Sequence, residues 1–290
     1  MKINKVVIPV AGWGTRSLPA TKNLPKEMLP IFKKPCIQYI VEESMASDVK
    51  NVIFITNKNK NIIEDHFDYN LSLEWVLERS GKKELLEEVR KVAELANIIS
   101  IRQKRQMGLG HAVLCAKDVI MDEAFAVIVG DDLLFSATPG IKQLIEVAET
   151  ENMAVIGVMP VKKELVNRYG IINGEKIGSY LYRVRDLQEK PKVEEAASNL
   201  AIVGRYVLTS DIFRHLEDMY DPTMKEELEL TEALKRLAYD NKLLAVRLQG
   251  MRFDVGNWVD YLVANIYFAL HDEELRDDVI NRLRELIPCP

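Results

Sequence analysis

The apolar run Val6-Val7-Ile8-Pro9-Val10 passes directly into the glycine turn Gly12-Trp13-Gly14, and three prolines follow at Pro19, Pro25 and Pro30. This order constrains the fold more than any other feature of the chain. The run has the length and character of a buried strand. The glycines bare backbone amides at its end, and Arg16, Lys22 and Lys26 share the loop that follows. Bare amides with convergent cations suit a polyphosphate. The Walker pattern of Gly, four residues and Gly-Lys-Ser/Thr is absent, which argues against a P-loop ATPase. The prolines would break the helix that a dinucleotide-binding turn requires directly after its glycines. The second apolar run, Asn51–Thr56, ends in Thr-Asn and lacks the acid that would hold a ribose, so a hydride-transfer enzyme becomes a minority reading.

Charge supports a small anionic ligand. Residues 1–34 hold seven Lys/Arg against the single acid Glu27, a local net of +6 in a chain of net −5, which leaves −11 elsewhere. A basic pole on an acidic chain fits a small anion better than a nucleic acid. With 48% apolar residues the 290-residue chain can form a sizeable core, as one large α/β domain or two small ones. Cys36, Cys115 and Cys289 have neither metal-ligand nor disulfide spacing, which suits a reducing cytoplasm. We expect no signal peptide and no membrane association, because the first apolar run is short and no stretch approaches the length of a span.

Strand-like runs alternate with helical spacing. Strands are predicted at 5–10, 51–56, 98–102, 125–129 and 153–160, and helices at 37–47, 62–67, 110–120 and 140–151. This predicts an α/β fold: a Rossmann-like, mostly parallel sheet flanked by helices. The charged segment 69–95 reads as an amphipathic helical insertion. From Tyr169 onward, runs at 170–172, 182–188 and 201–208 around a turn at Asn173-Gly174 predict a small antiparallel extension over the sheet edge. Helices at 212–219, 230–240 and 259–270 and a charged helical tail at 273–286 complete the chain.

Several motifs fall at predicted strand ends, where open α/β sheets bind ligands. After the third strand come Gln103, Gly108, Gly110 and His111. Glycines let backbone approach a flat ligand, and an amide can pair with a pyrimidine edge. His111 reads as structural, and His66, His215 and His271 as ordinary surface or core residues. The strand Val127-Ile128-Val129 ends in Gly130-Asp131-Asp132. Carboxylates in a ligand crevice are costly unless a cation offsets them, so Mg²⁺ is the natural reading. Asp254, in Phe253-Asp254-Val255-Gly256, offers a second acid, and Asp132 is a candidate to support Asp131. Gln188-Glu189-Lys190-Pro191 closes a strand of the extension.

The run Gly14-Thr15-Arg16 through Leu18-Pro19-Ala20-Thr21-Lys22 to Pro25-Lys26-Glu27-Met28-Leu29-Pro30 closely resembles the signature of the sugar nucleotidyltransferases. Its wording is similar to that of their bacterial UTP–glucose-1-phosphate uridylyltransferase branch. The resemblance extends in order to about Tyr261. It implies one nucleotidyltransferase domain over 1–290: a nucleotide-binding half at 1–165, a sugar-phosphate-binding half at 166–261 and C-terminal helices at 262–290. Ala11, Gly12, Gly14, Thr15, Arg16, Lys26, Gln103 and Gly108 would bind the nucleotide, with Arg16 and Lys26 catalytic. Gly170, Glu189, Lys190 and Val203 would bind the sugar phosphate, and Asp131 and Asp254 would hold Mg²⁺. UTP and glucose 1-phosphate are the implied substrates, and a dimer or tetramer the implied assembly. Thymidylyl or cytidylyl transfer, or another hexose 1-phosphate, stays open, because Glu229, Glu232 and Asn257-Trp258 depart from the pattern. A non-catalytic sensor would require a broken set of charged residues, and the set is intact.

Overall fold

The computed structural model describes residues 1–286, so Cys289 lies outside the described residues. Its strands of four or more residues are β1 (Lys5–Pro9), β2 (Asn51–Thr56), β3 (Asn97–Arg102), β4 (Phe125–Ile128), β5 (Asp132–Phe135), β6 (Ala154–Pro160), β7 (Gly170–Lys176), β8 (Leu181–Glu189), β9 (Leu200–Leu208), β10 (Leu243–Arg247) and β11 (Met251–Asp254). Nine of them form one sheet in the order β3-β2-β1-β4-β9-β6-β10-β8-β7, and β5 pairs with β11 in a separate ribbon. Strands β3, β2, β1 and β4 run parallel to one another. The strand–helix alternation predicts this half of the sheet closely.

Both faces of the sheet are covered. Val6 and Ile8 pack on one side with Ile37 and Ile40 of α1 (Cys36–Met45) and with Leu144. Val7 packs on the other with Val113, Ile212 and Leu234. Successive side chains of a strand point to opposite faces, so one short run feeds both cores.

The second half corrects the expectation in two places. Residues 201–208 do not lie over the edge: β9 is inserted in the middle of the sheet, antiparallel to β4 and β6. Its nearly continuous burial is the signature of a strand covered on both faces. Asn173-Gly174 is not a hairpin turn either. Both residues lie within β7 and pair across a register shift with β8, and the chain reverses beyond Lys176. Strands β5, β10 and β11 were not predicted. The charged insertion is two helices, α2 (Leu71–Arg79) and α3 (Lys83–Ala93), divided at Gly81, whose φ of +71° is readily available only to glycine. After β11 come α4 (Trp258–Leu270) and α5 (Arg276–Leu286).

Candidate active site

The first loop is held as its glycines and prolines suggest. Val10 donates its N–H to the Ile55 carbonyl, and Asn57 Nδ2 donates to the Ala11 carbonyl at 2.6 Å. Gly14 adopts a φ of +65°, and its carbonyl accepts from Thr21 Oγ1 at 2.8 Å. Two short 3-10 turns, Thr15–Ser17 and Lys26–Met28, then replace a long helix. They turn Arg16 and Lys26 toward the C-terminal ends of β1 and β4. A cleft of about 570 Å³ opens there. Its walls include all eight residues assigned to the nucleotide (Ala11, Gly12, Gly14, Thr15, Arg16, Lys26, Gln103 and Gly108) together with Asp131. The volume is typical of a small-molecule site.

Charges of both signs meet on the cleft floor. Lys26 Nζ lies 2.7 Å from Asp131 Oδ2. Burial opposes the Lys26 ammonium, but Asp131, with Glu27 beside it, outweighs that and holds its pKa above the ordinary value. Burial likewise penalises the Asp131 carboxylate, and the Lys26 charge more than offsets it, leaving the acid below its usual range. Arg16 spans both acids loosely, 4.0 Å from Asp131 and 3.9 Å from Asp254, with its side chain two-thirds exposed. Asp254 ends β11, where its Oδ1 accepts the Gly256 N–H at 2.9 Å. Burial, then the charge of Asp131, raises its pKa. Behind Lys26, Lys60 pairs with the fully buried Glu27 at 2.7 Å, and burial pushes that acid up and that amine down.

The donor set fits Mg²⁺. Asp131 lines the cleft, and Asp254, bonded to the cleft residue Gly256, lies within reach of Arg16 with its carboxylate disfavoured by burial. Among the described residues no group of three His, Cys, Asp or Glu side chains forms a cation cage. Mg²⁺ is commonly bound by one or two carboxylates, with substrate phosphates and water completing its octahedron.

Asp132 is committed elsewhere. Arg252 Nε lies 2.8 Å and 2.9 Å from its two oxygens, and the Gly204 N–H donates to it. Arg205, fully buried in β9, reaches Asp132 on one side and Glu43 of α1 on the other. Arg252 also contacts the Tyr169 hydroxyl and lies over its ring. This network ties the acid-bearing ribbon to the turn before Gly170. The motif reading missed Arg252, Arg205 and Glu43, because nothing local marks their pairing.

At the cleft's other end, Gln103 is 4% exposed and donates from Nε2 to the Gly108 carbonyl at 3.3 Å. The glycines here also make room within the protein. A Cβ at Gly110 would stand 2.6 Å from the Leu228 carbonyl, and one at Gly108 would meet Glu227 at 2.9 Å. They admit the segment 227–229 against the helix start. Leu228 bonds on both sides, to Met107 and Gly110.

The residues assigned to the sugar phosphate form a second cluster. Register pairs Gly170 with Glu189. A Cβ at Gly170 would come within 3.3 Å of Glu189 and 3.2 Å of Thr231. Lys190 has a φ of +45°, an uncommon backbone for a lysine. Its Nζ lies 2.9 Å from Glu189 and 3.6 Å from Glu229. The hydrogen bond to Glu189 raises the Lys190 pKa, and burial raises that of Glu229. Val203 packs its side chain in the core, leaving only its backbone to meet a ligand. None of the four lines the cleft itself. The segment 227–229 joins the two clusters, with Glu227 at the cleft wall and Glu229 beside Lys190. Asn257, one of the departures from the pattern, caps α4 through Oδ1 and the Val259 N–H.

Comparison with known proteins identifies the family. Residues 5–269 match the family model described as nucleotidyl transferase. The chain belongs to that family. A UTP–glucose-1-phosphate uridylyltransferase of Bacillus subtilis (strain 168) is 46% identical over 286 residues, covering 99% of this chain and 98% of the relative. A UTP-bound UGPase from Acinetobacter baumannii superposes with a TM-score of 0.91 at 37% identity, covering 99% of this chain and all of the other. A UDP-glucose pyrophosphorylase complexed with UDP-glucose gives a TM-score of 0.84 at 37% identity, over 93% of this chain and all of the other. As a nucleotidyltransferase, the chain carries Arg16, Lys26 and Asp131 on one cleft, with Asp254 within reach of Arg16.

Proposed function

We propose that the chain transfers a uridylyl group from UTP to glucose 1-phosphate, giving UDP-glucose and pyrophosphate. The observation that carries this is the meeting of Arg16, Lys26, Asp131 and Asp254 at one cleft beside the glycine turn. A sugar-phosphate oxygen attacks the α-phosphorus of UTP. One P–O bond forms, the α–β bridging bond breaks, and pyrophosphate leaves with the electron pair. The phosphate monoester is already anionic near neutral pH, so the step needs no general base. It needs two polyanions neutralised and aligned. Lys26, kept protonated by Asp131, faces the triphosphate, and the exposed Arg16 closes over it. Lys190 binds the incoming phosphate, Glu189 takes sugar hydroxyls, and Gly170 lets them approach. Gln103 and the Gly108 backbone hold the base. Asp131 and Asp254 would hold Mg²⁺, which supplies charge neutralisation between the two substrates when bound.

Pyrophosphate release with glucose 1-phosphate and Mg²⁺, compared across UTP, dTTP, CTP and ATP with an EDTA control, tests the reading. Fast release with UTP that is lost in EDTA supports it; release only with CTP or ATP overturns the base assignment. We also propose a cytoplasmic setting, consistent with the free thiols of Cys36 and Cys115; an extracellular location found by fractionation would reject it. A homo-oligomer is supported by exposed Trp258, Val259 and Leu262 on α4; a monomer mass by light scattering would reject it.

A further inference from the structure

We propose that His111 is a positioning residue that selects the base by locking which end of the Gln103 amide faces the cleft. The inference rests on the assignment of Gln103 to the base and deepens it. Gln103 Nε2 lies 2.9 Å from His111 Nδ1 and 3.3 Å from the Gly108 carbonyl. A carbonyl can only accept, so the atom facing it is the NH2 end. The imidazole must then also accept at Nδ1, with its ring proton on Nε2. The Cys115 thiol, 3.9 Å from the same nitrogen, is compatible with that tautomer. Burial, then the Arg105 guanidinium, lowers the His111 pKa, which keeps the Nδ1 lone pair available near neutrality. Tyr220 packs its ring at 5.3 Å and holds the imidazole in place.

The consequence lies on the other side of the amide. Gln103 lines the cleft, its Oε1 has no hydrogen-bond partner among the described residues, and that atom is not sealed from solvent. With both NH2 protons directed at Gly108 and His111, the cleft meets an acceptor. Uracil presents N3–H, a donor, to such a group. Cytosine presents a bare N3, an acceptor, and two acceptors repel. A flipped amide would reverse the preference. Sites that hydrogen-bond their substrate reject analogues that leave the buried group unpaired. The lock therefore separates UTP from CTP, and it does not separate uracil from thymine, which share N3–H.

The test measures UTP and CTP binding by calorimetry in the intact protein and three variants. His111→Leu removes the acceptor, and UTP affinity should fall about tenfold relative to CTP affinity. His111→Gln restores an acceptor and should keep the ratio within about threefold of the unmodified chain. An unchanged ratio in His111→Leu, or an equal loss for both nucleotides, overturns the inference. Gln103→Ala separates the two levels: if it keeps the UTP preference, the base assignment itself has failed. If it loses the preference while His111→Leu keeps it, only the role of His111 has failed. Nitrogen NMR on the unmodified protein needs no variant to fold. Nδ1 of His111 should be the unprotonated nitrogen, and a protonated Nδ1 overturns the proposal.

Discussion

The two halves of the site are assembled by different means. Six of the eight residues assigned to the nucleotide come from one stretch, Ala11 to Lys26, that leaves a single strand. Their convergence is local: two short turns and a left-handed glycine bring the cations to the cleft. The sugar-phosphate cluster draws on β7, the end of β8, β9 and the start of a helix at Leu230, segments that meet only through sheet register. Its cation is also held less tightly than Lys26, since Lys190 is half exposed and shares two acids. The contrast implies that the first half sets the chemical step and the second sets which acceptor enters it.

Lys26→Ala should break the comparison on the first side. Lys26 is the cation held tightly at Asp131, and preorganised charge at a developing transition state contributes on the order of a thousandfold in rate. We expect kcat/KM to fall by at least about 10³-fold while circular dichroism remains that of the folded chain. Near-normal turnover would remove Lys26 from the chemistry. Asp131→Asn should lose turnover to a similar extent.

Lys190→Ala should sharpen it on the second. One charge-assisted contact to a phosphate is removed from an exposed position, so KM for glucose 1-phosphate should rise about 10- to 100-fold with KM for UTP little changed. Steady-state kinetics with each substrate varied separately checks this. A parallel rise in both constants would show that the clusters act as one.

The difference in assembly also decides what was legible in the sequence. The parallel strands and the phosphate loop were readable because both signals are local: apolar runs of strand length and glycines followed by prolines. The placement of β9 was not, since a run of apolar residues says that both faces are buried but not which strands flank it. Its near-continuous character, Leu200 to Leu208 with Arg205 as the only charge, did hold the clue that it is a central strand. Strand β10 pairs with β6, some ninety residues earlier in the chain, and nothing in Leu243–Arg247 names that partner. Asp131 and Asp132 make the same point at single-residue scale. They are adjacent, yet one faces Lys26 in the cleft and the other is bound by Arg252 and Arg205. Their partners come from segments distant in sequence.

The smallest expected effect concerns the two acids assigned to the metal, and it is a difference in sign. The folded state holds Asp131 below its ordinary pKa, through Lys26. Its ionisation therefore stabilises the fold above the usual carboxylate range, and that contribution is lost as pH falls through the lowered pKa. Asp254 is raised, by burial and by Asp131. Its ionisation opposes folding at neutral pH, and the penalty disappears as pH falls below the ordinary carboxylate range. Asp131→Asn should then lower the melting temperature at pH 7, because it leaves the buried Lys26 without its closest partner. Asp254→Asn should raise it, by roughly 2 °C, and that gain should vanish near pH 3. Thermal melts of the metal-free protein at both pH values measure the pair. If both variants are destabilised at neutral pH, Asp254 is held by compensating contacts and is not the strained acid that a divalent cation would relieve.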